Sequence, residues 1–271
     1  MQVLLVSTLL AYALATFFRV KERVAGRAMP LHANLSFWLG LVCNLILALE
    51  IFALGESHLH YRTLFVVGAL SLTISSAAIE RLLKESFFSI FTLPVSFVFM
   101  VCSTFVDGKL AGAHFAQGWF ALHLLLAILG ECFFMIAAVS SLTYLFVVRR
   151  LKKKNRLRAV FFFPPLARLD DLTFKLIVSG TAVFAVGLLA GLYGNLKHFE
   201  AFSPGGKHIF AAVLLLFYLA LIIARRPLKL AGNRLAVLAV TGFVLSIGLV
   251  VLPDNELHWK PLQATVQGAA K

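Results

Sequence analysis

Residues 119–148 read WFALHLLLAILGECFFMIAAVSSLTYLFVV, an apolar run that contains one charged side chain, Glu131. A helix of about 20 apolar residues crosses about 30 Å of hydrocarbon, so this run is long enough to span a bilayer and to tilt or project beyond it. The whole chain is similarly apolar: 61% of its 271 residues are hydrophobic and its mean hydropathy is +0.92. Soluble domains have only about 45–50% apolar residues. The sequence therefore predicts an integral membrane protein.

Apolar runs of comparable character recur along the chain on both sides of this one. The predicted spans cover residues 2–18, 35–53, 63–79, 87–105, 119–148, 172–196, 208–224 and 235–252. We find no internal repeat and no loop that could hold a soluble catalytic domain. We therefore expect a single polytopic domain over residues 1–271, all-α in class, with about eight transmembrane helices and a short C-terminal tail at residues 253–271.

The basic residues predict how this domain is oriented in the membrane. Most of the 25 Lys and Arg residues follow spans one, three, five and seven. The opposite face carries only Arg62, Lys109, Lys197, Lys207, Lys260 and Lys271. Because basic loops stay in the cytoplasm, both termini are predicted to lie outside. The net charge of +13 is confined to short loops between apolar runs, which argues against a nucleic-acid partner.

The connection between spans five and six is the most basic part of the chain. Its segment Arg149–Arg158 precedes Pro164 and Pro165, which would break any helix there. Asp170 and Asp171 then stand where a helix N-cap is expected. The simplest interpretation of the basic segment is that it sets topology and attracts anionic lipid.

Histidine is distributed unevenly between the two predicted faces. On the cytoplasmic side we place only His32; the outer side holds His58, His60, His114, His123, His198, His208 and His258. Imidazole is the usual ligand for haem iron and for zinc or copper, so this bias suggests chemistry at the outer face. The alternative is that outer loops, poor in Lys and Arg, simply tolerate histidine.

Two of these histidines are candidate axial ligands. His123 lies about one helical turn below Trp119, an aromatic anchor at the interface. His258 follows span eight and stands beside Trp259. Two such imidazoles could hold a flat macrocycle such as haem between them. The alternative for each is a packing histidine with an ordinary hydrogen bond.

Two further positions are candidates for binding roles. Glu131 lies near the middle of span five, where a carboxyl should face the bundle interior, either protonated or paired. It suggests a proton or ion pathway, or a hydrogen bond to a neighbouring helix. His208 and Lys207 open span seven after a Gly-rich turn, where a helix N-terminus attracts anions such as a haem propionate. A plain helix start is the alternative there. No nucleotide-binding loop or HExxH motif is present.

Two blocks of the sequence resemble a known family. Residues 122–154, which carry His123 and the basic run after it, and residues 163–175, with the Pro-Pro-Leu to Asp-Asp-Leu pattern, are similar to the cytochrome c assembly family. This is the CcsA/HemX-type group of membrane haem-handling proteins. The resemblance covers roughly residues 60–260, and it implies an outer pair of haem ligands at His123 and His258.

The resemblance also shows where this chain departs from the family's synthases. Those proteins carry a Trp-rich WGxxWxWD segment, whereas residues 191–204 here read GLYGNLKHFEAFSP without tryptophan. The family's membrane-embedded histidines are replaced by Ile223 and by Cys43 or Asn44. These differences place the chain with the HemX-like branch and argue against a full cytochrome c synthase.

The expected function is therefore a haem-binding or haem-handling protein of the bacterial inner membrane, without bond-making chemistry of its own, acting in cytochrome c assembly or haem biosynthesis. One alternative is an ion- or proton-coupled transporter that uses Glu131. Another is a non-enzymatic assembly or regulatory scaffold, in which Arg149–Arg158 recruits a ResB-type synthase subunit or an enzyme of the tetrapyrrole pathway.

Overall fold

A computed structural model describes residues 2–25, 30–53, 58–83, 88–106, 109–114, 118–152, 163–198 and 206–251. Within these residues the chain forms a bundle of eight helices. They are α1 Gln2–Ala25, α2 Pro30–Ala53, α3 Tyr61–Leu83, α4 Ser89–Phe105, α5 Gly118–Lys152, α6 Leu166–His198, α7 Gly206–Ala224 and α8 Asn233–Val251. Each predicted span falls on one of these helices, so the helical fold class is confirmed.

Five of the helices, α1, α2, α3, α5 and α6, are long and apolar enough to cross a membrane by themselves. The other three described helices contain shorter apolar segments, at Ser89–Phe105, His208–Ala224 and Asn233–Gly248. Below, "outer end" means the end of the bundle that carries His123, and "inner end" means the end that carries Arg149 and Arg150. These names follow the orientation predicted from the basic residues.

A short ribbon at the outer end was not predicted from the sequence. Strands β1 (His58–His60) and β2 (Lys109–His114) pair in antiparallel orientation, with His58 opposite His114 and His60 opposite Lys109. Backbone groups outside a helix need other hydrogen-bond partners, and these two connections provide them for each other. The ribbon joins the α2–α3 connection to the α4–α5 connection.

Helix α6 starts earlier than the sequence suggested. It begins at Leu166, and the backbone N–H of Arg168 donates to the carbonyl of Pro165 at 2.9 Å. Proline is well suited to a helix start because it has no N–H to satisfy. The predicted N-cap at Asp170 and Asp171 is therefore wrong, because both residues lie inside the helix.

The antiparallel pair α5 and α6 forms the most extensive helix contact in the described part of the chain. Glycines allow the close approach: a Cβ added at Gly180 would lie 2.9 Å from the Cβ of Phe133, and one at Gly130 would lie 3.0 Å from the Cβ of Phe184. Small residues are the usual means by which membrane helices pack closely. This helix pair positions the candidate site.

Helices α1 to α4 pack around a buried polar network. The hydroxyl of Tyr12 accepts a hydrogen bond from Nδ2 of Asn44 at 3.0 Å and lies 3.1 Å from the hydroxyl of Thr73. Thr73 also contacts the hydroxyl of Ser96 at 3.2 Å. The network therefore takes one side chain from each of the four helices, and it links them at a depth where no water is available to replace these bonds.

Asp170 holds the inner end of α6 to the connection between α7 and α8. Its Oδ1 accepts from the backbone N–H of Gly232 at 2.7 Å, and its Oδ2 accepts from Arg225 at 3.2 Å. Gly232 has a φ of +62°, a conformation that favours glycine. An added Cβ there would also lie 2.7 Å from the hydroxyl of Tyr144. The Asp-Asp-Leu block thus has a structural role in joining three helices.

Candidate functional site

His123 lies near the outer end of α5 and faces α6. Its Nδ1 is 2.6 Å from the carbonyl oxygen of Gly187. A carbonyl can only accept a hydrogen bond, so Nδ1 carries the hydrogen. In a neutral imidazole, Nε2 is then the nitrogen with a lone pair. The contact with α6 therefore sets both the tautomer and the orientation of the ring.

Gly191, one helical turn beyond Gly187, lies directly against the same ring. A Cβ added at Gly191 would be 2.6 Å from Nδ1 and 2.9 Å from Cε1 of His123. Those distances are far below van der Waals contact, so any larger residue would displace the imidazole. The pair Gly187 and Gly191 thus forms a cradle on α6 that fits the His123 ring.

His208 lies in the first turns of α7 and is partly exposed. It is near enough to His123 for the two imidazoles to interact electrostatically. The structure therefore brings together two of the site residues predicted from the sequence. The side chain of Lys207 and the whole of His258 lie outside the described residues, so the predicted pairing of His123 with His258 stays a prediction.

The β-ribbon stands at the same end of the bundle. β1 leads directly into α3, and β2 precedes α5, the helix that carries His123. Its backbone register sets His58 opposite His114. The described histidines of α5, α7 and the ribbon therefore cluster at the outer end of the bundle, as the predicted topology requires.

His123 meets the requirement of haem iron, which takes one or two axial ligands from a protein. Among the described residues, no group of three or more His, Cys, Asp or Glu side chains could hold a metal ion. An imidazole with Nδ1 bound to a backbone carbonyl is a typical metal-ligating arrangement. His123 and its glycine cradle therefore fit a haem ligand.

Glu131 lies deeper in the bundle, on α5 at the side that meets α7 and α8. Its carboxyl contacts the side chain of Ser246 and interacts electrostatically with Tyr218. Its Oε1 atom is buried without a hydrogen-bond partner. Glu131 lies eight residues along α5 from His123 and forms a second polar position on that helix.

The positions at which the resemblance places membrane-embedded histidines have other roles here. Asn44 is fully buried and bound to Tyr12. Ile223 is 72% exposed on the bundle surface. A ligand pair at these two positions would need both side chains to face one cavity, so the structure offers no equivalent site there.

An apolar groove with a volume of about 400 Å³ opens between α4 and α5 on the inner half of the bundle. The described part of its wall contains no histidine and no charged side chain; it is lined by Phe91, Val139, Leu142, Thr143, Phe146 and Phe163. The groove therefore lacks any axial ligand for iron, and it is not part of the outer site.

Sequence reasoning singled out His123 but missed the residues that hold it. Gly187 and Gly191 lie within the region of the family resemblance, roughly residues 60–260, but no role was assigned to them from the sequence. Their spacing of four on a membrane helix was a usable signal, because small residues one turn apart mark a face for close helix contact. Nothing in the sequence indicated which side chain that face would meet.

Comparison with known proteins finds one family model and two relatives that are similar to most or to about half of this chain. A family model described as "Cytochrome C assembly protein" matches residues 33–249. Protein HemX of Bacillus subtilis (strain 168) is 26% identical over 193 residues, covering 68% of this chain and 69% of that protein. The cytochrome c biogenesis protein CcsA of Guillardia theta is 26% identical over 145 residues, covering 48% of each. No solved structure matches the chain.

Proposed function

The chain belongs to the cytochrome c assembly protein family, and from this we propose that it is a haem-binding membrane protein acting in cytochrome c assembly or haem biosynthesis. The family and the names of the relatives, HemX and CcsA, support a membrane haem-handling role. The more specific proposal concerns which residues bind haem and on which side of the membrane.

The observation that carries the proposal is the bond between Nδ1 of His123 and the carbonyl of Gly187, at 2.6 Å. It leaves Nε2 as the nitrogen that would bind iron, and a hydrogen bond at the other nitrogen raises the basicity of a ligating imidazole. Gly191 fixes the plane of the ring. His123 is therefore oriented before any ligand arrives.

His258 is the proposed second axial ligand, by the family resemblance. Lys207 and His208, at the start of α7, are proposed to contact the propionates, since a helix N-terminus and a cation both favour carboxylates. His208 lies near enough to His123 for the two imidazoles to interact electrostatically, which supports this assignment. Haem held in this way would supply a redox-active iron, while the chain binds and orients it.

We assign the site to the outer face, because the loops at the opposite end carry most of the Lys and Arg residues. The absence of tryptophan from residues 191–204 favours a HemX-like role in holding or delivering haem without bond formation. The proposed location is the bacterial inner membrane. A ResB-type subunit or a tetrapyrrole-pathway enzyme is the proposed partner, with Arg149–Arg158 as the candidate contact.

Hemin titration of the purified full-length protein in detergent tests this function. We expect a Soret band at one hemin per chain, and at least about tenfold weaker binding after His123→Ala or His258→Ala, since second-shell changes alone cost about 10–100-fold at metal sites. His32→Ala, which removes an inner-end imidazole, is the matched control and should bind like the wild type. Equal binding by the wild type and His123→Ala would overturn the proposal.

A further inference from the structure

Glu131 is a carboxyl inside the membrane that the haem site does not use. It lies eight residues along α5 from His123, a separation of about 12 Å at 1.5 Å per residue. No described Lys, Arg or His pairs with it in a salt bridge. An unpaired carboxylate at this depth is costly, and such a group takes up a proton instead.

Two hydroxyl groups from other helices lie near Glu131. Tyr218 of α7 interacts with it electrostatically, and Ser246 of α8 contacts its carboxyl. Tyr218 is held in place by stacking on Phe134, with ring centroids 3.9 Å apart. It also lies against Gly242, where an added Cβ would be 2.8 Å from the tyrosine oxygen. The local packing thus brings a hydroxyl into the interior of the bundle.

The orientation of the Ser246 hydroxyl decides which form of Glu131 it can bind. When this hydroxyl donates to the carbonyl of Phe243, which lies at 2.9 Å, it presents a lone pair to Glu131. A carboxylate has only acceptors and could not bond to that lone pair. A protonated carboxyl could donate to it. The hydroxyl of Tyr218 and the Oε1 atom of Glu131 are both buried without a hydrogen-bond partner.

We propose that Glu131, Tyr218 and Ser246 form an intramembrane proton-binding site. The proton adds to the Glu131 carboxylate, converting it to the acid. The new O–H donates to Oγ of Ser246, and the remaining carbonyl oxygen accepts from the hydroxyl of Tyr218. This site needs no haem, and it stands whether or not His123 binds iron.

Few other titratable groups face this site. On α5 its neighbours are Cys132, whose thiol points to the carbonyl of Gly68 at 3.8 Å, and His123 towards the outer end. On α7 they are Tyr218 itself and His208 at the helix start. Residues 176–191 of α6 and residues 235–251 of α8 contain none. A proton titrating inside the bundle is therefore assigned to Glu131.

Infrared spectroscopy of the full-length protein in lipid nanodiscs, without hemin, tests the site. We expect the carbonyl stretch of a protonated buried carboxyl near neutral pH, and its loss as the pH is raised. The band should vanish in Glu131→Gln, shift in frequency in Tyr218→Phe and Ser246→Ala, and remain in Glu50→Gln, which removes another membrane carboxyl on α2. His123→Ala should leave it unchanged, which separates this result from the haem proposal.

Three outcomes would overturn the inference. The first is that no such band appears in the wild type at any pH at which the protein stays folded. The second is a band that survives Glu131→Gln. If that variant does not fold, the corresponding outcome is a band whose frequency is the same in Tyr218→Phe and in Ser246→Ala as in the wild type. The third is a band that disappears when Na⁺ replaces K⁺ at constant pH, because the site would then bind a metal cation.

Discussion

The imidazole of His123 and the backbone carbonyl of Gly187 are joined by a 2.6 Å hydrogen bond between α5 and α6. This bond uses a main-chain group, so no side-chain substitution at residue 187 can remove the acceptor itself. What a substitution can change is the space around the ring. The cradle is therefore best tested by a substitution at Gly191, which lies against the ring.

Gly191→Ala should weaken hemin binding about tenfold, the lower end of the range for a misoriented metal ligand. The new Cβ would stand 2.6 Å from Nδ1 of His123, so the ring must rotate or retreat from α6. Hemin titration measures the effect. Gly248→Ala is the control, because among the described residues its Cβ would meet Phe210 at an ordinary 3.4 Å. Equal losses in both variants would mean that helix packing alone is responsible.

His208→Ala distinguishes a propionate contact from an iron ligand. If His208 contacts a propionate, we expect a few-fold weaker hemin binding and an unchanged position of the Soret band. The physical reason is that iron coordination sets the spectrum, whereas a propionate contact contributes only affinity. Absorption spectra of the oxidised and reduced protein provide the measurement. If the spin state of the iron changed in His208→Ala and not in His258→Ala, His208 would be the axial ligand instead of His258.

Asp170→Ala should lower the stability of the bundle by about 1.5–3 kcal/mol, as expected for losing hydrogen bonds to a charged group. It removes the acceptor for Gly232 and leaves Arg225 without its carboxylate. Thermal unfolding in detergent, followed by circular dichroism, measures the change. Asp171→Ala breaks a neighbouring ion pair with Lys175 that is largely exposed, so it should cost less than about 1 kcal/mol. A smaller effect at Asp170 than at Asp171 would contradict the structural role of this contact.

Thr73→Val should destabilise α1 to α4 by about 0.6–1.7 kcal/mol, the range measured for hydrogen bonds between membrane helices. The variant keeps the shape of the side chain but removes the hydroxyl that meets Tyr12 and Ser96. Thr104→Val is the matched control, because Thr104 is exposed and its hydroxyl donates to the carbonyl of Val101 on its own helix. The same unfolding experiment compares the two, and indistinguishable melting curves would argue against the network.

The positions of the helices were predictable because each crossing of the membrane requires its own apolar run. The ends of the helices were less predictable. Helix α1 continues to Ala25, past the predicted limit at residue 18, and α6 starts at Leu166, before the predicted start at residue 172. Hydropathy detects only the part of a helix inside hydrocarbon. Backbone hydrogen bonding continues through the charged residues at the interface.

The candidate site was predictable in part, for a similar reason. His123 is conspicuous as an imidazole inside an apolar run, and the distribution of Lys and Arg placed it at the same end as His208. The pairing with Gly187 and Gly191 could not be derived, because it depends on which faces of α5 and α6 meet. The rotation of each helix about its own axis is set by side-chain packing along the whole helix pair, including the contact of Phe133 with Gly180.

The close contact of α5 and α6 also has a consequence for how this gene can change. Every single-base mutation that replaces a glycine adds at least one carbon to the side chain or introduces a stop codon. At Gly180 and Gly191 the first added carbon already meets an aromatic side chain or the His123 ring below 3.0 Å. A single amino-acid replacement at these two positions is therefore not neutral, and descendants of this chain should carry another residue there only together with a compensating change on α5.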